Sequence, residues 1–104
     1  MTDVAIVGAS MTEFGRREGE WVRDLLAEAG EECLADAGVA PHELDHLYVS
    51  NMASGEFEGQ TGVPNMLAHD LAALPAYTQR IDQTSSSGGA GVYAAWQSVA
   101  SGAS

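Results

Sequence analysis

The chain has 104 residues, with 15 acidic side chains against four basic ones, a formal charge of −11 and a single cysteine. Such a surface repels nucleic acid and anionic lipid, and one thiol, Cys33, leaves no internal disulfide and no multi-cysteine metal site. No apolar run approaches the length of a membrane span. The basic residues are all Arg, and the carboxylates are spread along the chain rather than blocked. Spreading fits solvation in a salt-rich cytoplasm, where ions screen mutual repulsion, better than an acidic patch for one basic partner. The sequence starts straight into an apolar segment with no basic region, so no secretory signal is expected and the cytoplasm is the expected location.

Residues 4–8, Val-Ala-Ile-Val-Gly, read as a short strand. Being apolar without alternation, they suit a strand buried on both faces of a parallel sheet. A loop with Gly15, Arg16 and Arg17 follows; the two Arg are expected to pair with nearby carboxylates. Residues 20–37 read as a helix, with Val22, Leu25, Leu26, Ala29, Cys33, Leu34 and Ala37 recurring at three and four. Gly38 is its expected C-cap, and Pro41 follows. Cys33 lies on the apolar stripe and reads as a small core residue. A second strand is expected at Leu47–Ser50. The long loop Asn51–Gln60 comes next, and long loops in compact domains tend to carry function. A shorter helix spans about Pro64–Ala73, a third strand Ala76–Asp82, and a last helix about Ser86–Ser101, with Tyr93 and Trp96 as expected core residues.

The order β-α-β-loop-α-β-turn-α argues for an α/β layered fold with right-handed crossovers. Three strands with three helices are thin for a sheet covered on both faces. Residues 1–104 therefore read as the opening segment of a larger domain. The histidines His42, His46 and His69 fit no metal motif and no local serine partner, so no metal site is expected. Gly8-Ala9-Ser10 lacks the Gly-x-Gly-x-x-Gly fingerprint of a phosphate-binding turn.

The segment Ile81-Asp82-Gln83-Thr84-Ser85-Ser86-Ser87-Gly88-Gly89 runs from a strand end through small residues into a helix. A strand turning sharply into a helix presents one side chain and several backbone N–H groups, the geometry of a nucleophile elbow. Ser85 is the candidate nucleophile. The competing reading is an ordinary helix N-cap, for which serine is well suited.

Together these residues carry a resemblance. Val4–Gly8 with Met11-Thr12-Glu13-Phe14-Gly15 resembles the N-terminus of the thiolase superfamily. The loop Asn51–Gln60 is similar to that of archaeal-type acetyl-CoA acetyltransferases related to the sterol-carrier-protein thiolases. Ser85-Ser86-Ser87-Gly88-Gly89-Ala90 aligns with their Cys-Ala/Ser-Ser-Gly-Gly elbow, and Ala95–Gly102 with the helix behind it. The resemblance spans this chain but only about the first quarter of a family member. It implies an αβαβα layered fold, of which this chain supplies the N-terminal β-α-β-α-β-α portion. It also implies a C-terminal half, absent here, that carries the catalytic histidines.

The implied activity is acyl-CoA C-acyltransfer, as in an acetyl-CoA acetyltransferase or a 3-ketoacyl-CoA thiolase. A coenzyme A thioester is then the substrate, and no tightly bound cofactor is needed. Residues 76–82 are implied to sit at a sheet edge and pair across a homo-oligomer. The departure is Ser85 where the family carries its acylated Cys. A thiol is partly ionised near neutrality, whereas a serine hydroxyl needs a base during attack. A His from the absent half is the expected base. The alternatives are a thiolase-like aldolase, which cleaves carbon–carbon bonds without an acyl-enzyme, and a non-catalytic thiolase-fold subunit that binds a companion protein.

Overall fold

A computed structural model describes residues 3–104. In chain order the elements are α1 (Val22–Ala37), a 3₁₀ turn (Pro41–Glu43), β1 (His46–Ser50), α2 (Ser54–Glu58), α3 (Val63–Asp70), β2 (Tyr77–Ile81) and α4 (Ser87–Ala100). β1 and β2 pair in parallel, His46 opposite Tyr77 through Ser50 opposite Ile81. The intervening α2 and α3 form the crossover that a parallel pair requires. No helix among the described residues is long and apolar enough to cross a membrane.

Period-two alternation divides the sheet. Leu47 and Val49 of β1 meet Leu26, Leu34, Leu67, Leu71 and Ala73, and this cluster, with Val49 and the α3 leucines buried, is the core. On the opposite face His46 and Tyr48 turn toward Ala94, Gln97 and Ser98 of α4. Helices thus cover both faces, α1 with α3 on one and α4 on the other. Close approach is secured by missing side chains. A Cβ on Gly30 of α1 would come 2.9 Å from Leu71 Cδ1, and one on Gly91 of α4 would come 2.1 Å from Ser50 Oγ.

Local signals explain the helix ends. The Trp21 N–H donates to Asp24 Oδ2 at 2.8 Å, and the Val22 N–H donates to the Glu58 carboxylate from across the fold. An acidic group at a helix N-terminus satisfies an orphan donor and complements the dipole. At the other end Gly38 takes φ +68° as the C-cap, a conformation glycine adopts without steric penalty. Arg23 closes the α1–α3 seam with a bidentate pair to Asp70, both contacts at 2.8 Å. Arg17 pairs with Glu20 and Glu28, and Arg16 with Glu18.

Three expectations need correction. Residues 4–8 form no strand, and the sheet among the described residues has two strands. Ile6 and Val7 are 85% and 68% exposed. The segment lies instead along helix surfaces: Val4, Ala5 and Ile6 beside Val92 and Trp96, and Gly8 against Cys33 and Ala37. Ala9 N–H is taken by Asp36 Oδ2 and the Ser10 hydroxyl by Ala29 C=O, side chain–backbone contacts in place of a ladder. Strand pairing requires backbone partners as well as apolar side chains, and here those partners are not β1. Second, the loop after β1 contains α2, begun by Asn51 Oδ1, which accepts from the N–H groups of Ala53 and Ser54. Third, Tyr93 and Trp96 are not core. They stack on each other with centroids 5.8 Å apart on the outer face of α4, at 59% and 43% exposure. The face α4 turns to the sheet is the small one, Gly91, Ala94 and Ser98, because only small residues allow the Gly91–Ser50 approach. Cys33 is half-buried on α1, in a groove with Ala29 and Leu67.

Candidate active site

Parallel strands place their outgoing loops at one end of the sheet, where open α/β folds hold their ligands. The loop that leaves β1 and the turn that leaves β2 share that end. The start of that loop is joined to the end of β2: Asn51 N–H donates to Ile81 C=O at 3.0 Å, and Arg80 Nε donates to Asn51 C=O at 2.9 Å. Arg80 Nη2 also lies 3.9 Å from Asp82 Oδ2, and Asp82 Oδ1 accepts from Thr84 N–H at 3.1 Å. A polar chain therefore runs from the start of the Asn51–Gln60 loop to the turn that precedes α4.

The turn itself is tightly cross-linked. Ser86 N–H and Ser86 Oγ both donate to Gln83 C=O, at 3.1 and 2.8 Å. Ser87 N–H and Ser87 Oγ both donate to Thr84 C=O, at 3.2 and 2.7 Å, and Gln83 N–H donates to Ser87 Oγ at 2.8 Å. These contacts hold Thr84 at φ +49°, in the left-handed region that β-branched residues rarely enter. Ser85 follows. It is exposed, and among the described residues its hydroxyl is the one of the three serines not engaged in the turn's own hydrogen bonds. The first turn of α4 then carries Gly88 and Gly89, where an added Cβ would meet nothing within 4 Å. Their backbone N–H groups belong to the orphan donors of a helix start, whose dipole favours negative charge nearby.

The two readings of the serine run divide between residues. The Ser86 and Ser87 hydroxyls do the local hydrogen bonding, and the Ser85 hydroxyl, among the described residues, stands free of it. The sequence singled out Ser85 but not Arg80, Asp82, Thr84 or Ser87. The Asp82-x-Thr84 spacing is the signal of an Asx turn and was readable. That Thr84 would take the positive φ, with glycines so close by, was not.

The histidines lie elsewhere. His46 opens β1 and pairs with Tyr77 at the start of β2, about 13 Å of strand from the end that carries the elbow. His42 sits in the 3₁₀ turn just before it. His69 lies in the last turn of α3 beside Asp70, and its side chain is 75% exposed. Among the described residues, no group of three or more His, Cys, Asp or Glu is disposed to hold a metal ion.

The architecture is an α/β fold of the thiolase-like class. It superposes on 3-oxoacyl-[acyl-carrier-protein] synthase III from Aquifex aeolicus VF5 with a TM-score of 0.77 over 91% of this chain and 30% of that one, at 19% identity. Residues 4–104 match the thiolase N-terminal domain, and the chain belongs to the thiolase family. Two acetyl-CoA acetyltransferases are similar to it. That of Methanothermobacter thermautotrophicus is 36% identical over 102 residues, 98% of this chain and 27% of its own length. That of Methanocaldococcus jannaschii is 36% identical over 104 residues, 100% of this chain and 26% of its own. The chain thus spans about a quarter of these relatives.

Proposed function

We propose that the chain is the opening portion of an acyl-CoA C-acyltransferase in which Ser85 accepts the acyl group from a coenzyme A thioester. The observation that carries this reading is an exposed serine whose hydroxyl, among the described residues, is left out of the hydrogen bonds that fix its own turn, at a strand–turn–helix junction of a thiolase-family domain. Ser85 Oγ attacks the thioester carbonyl as its proton passes to a base. The C–S bond breaks, coenzyme A leaves as the thiol, and an acyl-Ser ester remains. A base then takes the α-proton of a second acyl-CoA, the resulting carbanion attacks that ester carbonyl, the C–O bond to Ser85 breaks as its oxygen recovers a proton, and a 3-oxoacyl-CoA leaves. The helix N-terminus stabilises the oxyanion in each addition. In the reverse direction the same steps perform thiolysis of a 3-oxoacyl-CoA.

The base is a histidine supplied by polypeptide beyond this chain, since His42 and His46 lie about 13 Å of strand from the elbow and, among the described residues, no histidine hydrogen-bonds Ser85. That distance is also what favours the second reading, an aldolase or a non-catalytic subunit that binds a companion protein, because a serine without a base is a poor nucleophile. The outer edge of β2, residues 76–82, is proposed to pair with a second copy. The acidic, Lys-free surface is proposed to serve in a salt-rich cytoplasm.

The test is to incubate the full-length protein with acetyl-CoA and map the acyl adduct by mass spectrometry. An adduct on Ser85, lost in Ser85→Ala together with at least about 1,000-fold in turnover, is expected for a covalent nucleophile. Ser86→Ala retains turnover within about tenfold, since Gln83 C=O keeps the Ser86 N–H. Turnover with no adduct, or an adduct on another residue, rejects the assignment; a companion protein that co-purifies with an inactive protein favours the binding subunit.

A further inference from the structure

The fold employs the three consecutive hydroxyls of the elbow in different ways. Ser85 is open to solvent and Ser86 ties back to Gln83. Ser87 is buried, at 7% exposure, and engages the turn at two points. A serine acting as a helix cap sits before the helix and accepts from N–H groups downstream of it. Ser87 is already the first residue of α4, and both of its side-chain contacts point upstream. It accepts from Gln83 N–H and donates to Thr84 C=O. Those two atoms bracket the pair of residues that carries the positive φ.

Left-handed backbone is sterically disfavoured for a non-glycine residue, and most of all for a β-branched one. A turn holding Thr84 in that region relaxes unless its flanks are pinned. Ser86 secures only Gln83 C=O, a group that also has the Ser86 N–H. Gln83 N–H, by contrast, finds its partner among the described residues in Ser87 Oγ.

We propose that Ser87 is a positioning residue for acyl transfer: its buried hydroxyl clamps Gln83 and Thr84 so that the Ser85 oxygen is held clear of the turn at the point of attack. This rests on the reading of Ser85 as acyl acceptor. Loss of the clamp frees Thr84 to return to a common conformation and moves Ser85 by the order of an ångström, a displacement that costs about 100-fold in rate.

The experiment is single-turnover acetylation of the full-length protein by acetyl-CoA, with the adduct located by mass spectrometry and backbone exchange followed at Gln83. Ser87→Ala is expected to acetylate the same residue about 100-fold more slowly, with KM for acetyl-CoA changed less than about threefold. The Gln83 amide should lose its protection from exchange in the same variant. Ser87→Thr, which keeps the hydroxyl, should recover the rate to within about tenfold of the parent. Thr84→Gly placed in the Ser87→Ala background should recover at least about tenfold, because glycine takes positive φ without support.

Acetylation of Ser85 at the parental rate in Ser87→Ala overturns the proposal, as does a slowed rate with Gln83 protection intact. Failure of both rescues overturns it too. In each of these cases an adduct on Ser85 in the parent protein leaves the nucleophile reading standing. A parent protein without that adduct refutes the nucleophile reading, and the positioning role falls with it.

Discussion

The contact between α4 and β1 permits a quantitative test, because one atom decides it. Gly91→Ala places a Cβ 2.1 Å from Ser50 Oγ but 3.4 Å from Ser50 Cβ. The first distance cannot be tolerated; the second is ordinary contact. Relief comes either from rotation of Ser50 about its one side-chain torsion or from a shift of α4 off the sheet. Overpacking of this kind costs about 1–3 kcal/mol. Against it stands the gain of about 1 kcal/mol for alanine over glycine within a helix. Gly91→Ala alone should therefore destabilise by about 1 kcal/mol as the difference of these terms. In a Ser50→Ala background the offending oxygen is gone, and the same substitution should stabilise by about 1 kcal/mol. The coupling between the two positions is then about 2 kcal/mol, well above the few tenths expected of independent sites. Four proteins (parent, each single variant and the double) are compared by thermal unfolding of the full-length form. Each kcal/mol reads as about 2–4 °C for a domain of 150–250 residues. Additive effects would refute the claim that α4 is seated through this glycine, and with it the reason given for the outward placement of Tyr93 and Trp96.

Two other perturbations test the electrostatics. The Arg23 guanidinium hydrogen-bonds the Asp70 carboxylate and holds its pKa below the usual carboxylate value of 3.8, against a smaller opposing effect of burial. A group whose folded pKa is depressed stabilises above its unfolded pKa, and that contribution is lost as pH falls through the folded value. Asp70→Asn should therefore lower the unfolding midpoint at neutral pH, with the deficit shrinking once the pH drops below about 4; a deficit independent of pH would show that packing, not charge, holds the α1–α3 seam. The net charge of −11 implies self-repulsion that salt relieves, since the Debye length falls from about 10 Å at 0.1 M to about 3 Å at 1 M. The midpoint should rise by several degrees over that range in KCl, and a flat response counts against adaptation to high salt.

Much of the fold was legible because the relevant signals are local. The stripe from Val22 to Ala37 with Gly38 behind it fixed α1 and its end. The pairs Leu47–Ser50 and Ala76–Asp82 came within a residue or so of β1 and β2. Where sequence reasoning failed, the deciding quantity was not local. Val-Ala-Ile-Val has the composition of a buried strand, but composition supplies side chains and not the neighbouring backbone a ladder needs. In α4 the large residues Val92, Tyr93, Trp96 and Val99 and the small ones Gly91, Ala94 and Ser98 form two stripes of equally helical spacing. Which stripe meets the sheet depends on how near β1 approaches, and that is recorded in Gly91 rather than in hydropathy. A helix apolar on both faces is one placed between layers, and the exposure of Trp96 and Val92 marks a face that the described residues, Val4–Ile6 among them, cover only in part.

The site separates in the same way. Its strand–turn–helix frame was readable from small residues in sequence, and so was the candidate hydroxyl. The division of labour among Ser85, Ser86 and Ser87 was not, because three identical side chains differ only in where the turn points them. Geometry assigns two of them to backbone and leaves one. The parallel sheet then sorts the remaining polar groups by end: the Asn51 loop, Arg80, Asp82 and the elbow on one side, and His42 and His46 on the other, a strand length away. The Ser85 hydroxyl at the first end has the opening backbone N–H groups of α4 close behind it and, among the described residues, no histidine hydrogen-bonded to it. On the proposed reading of Ser85 as acyl acceptor, an alcohol in place of a thiol transfers the burden of activation from the nucleophile's own acidity to a base. The rate of acylation should accordingly follow the titration of that base and not of Ser85.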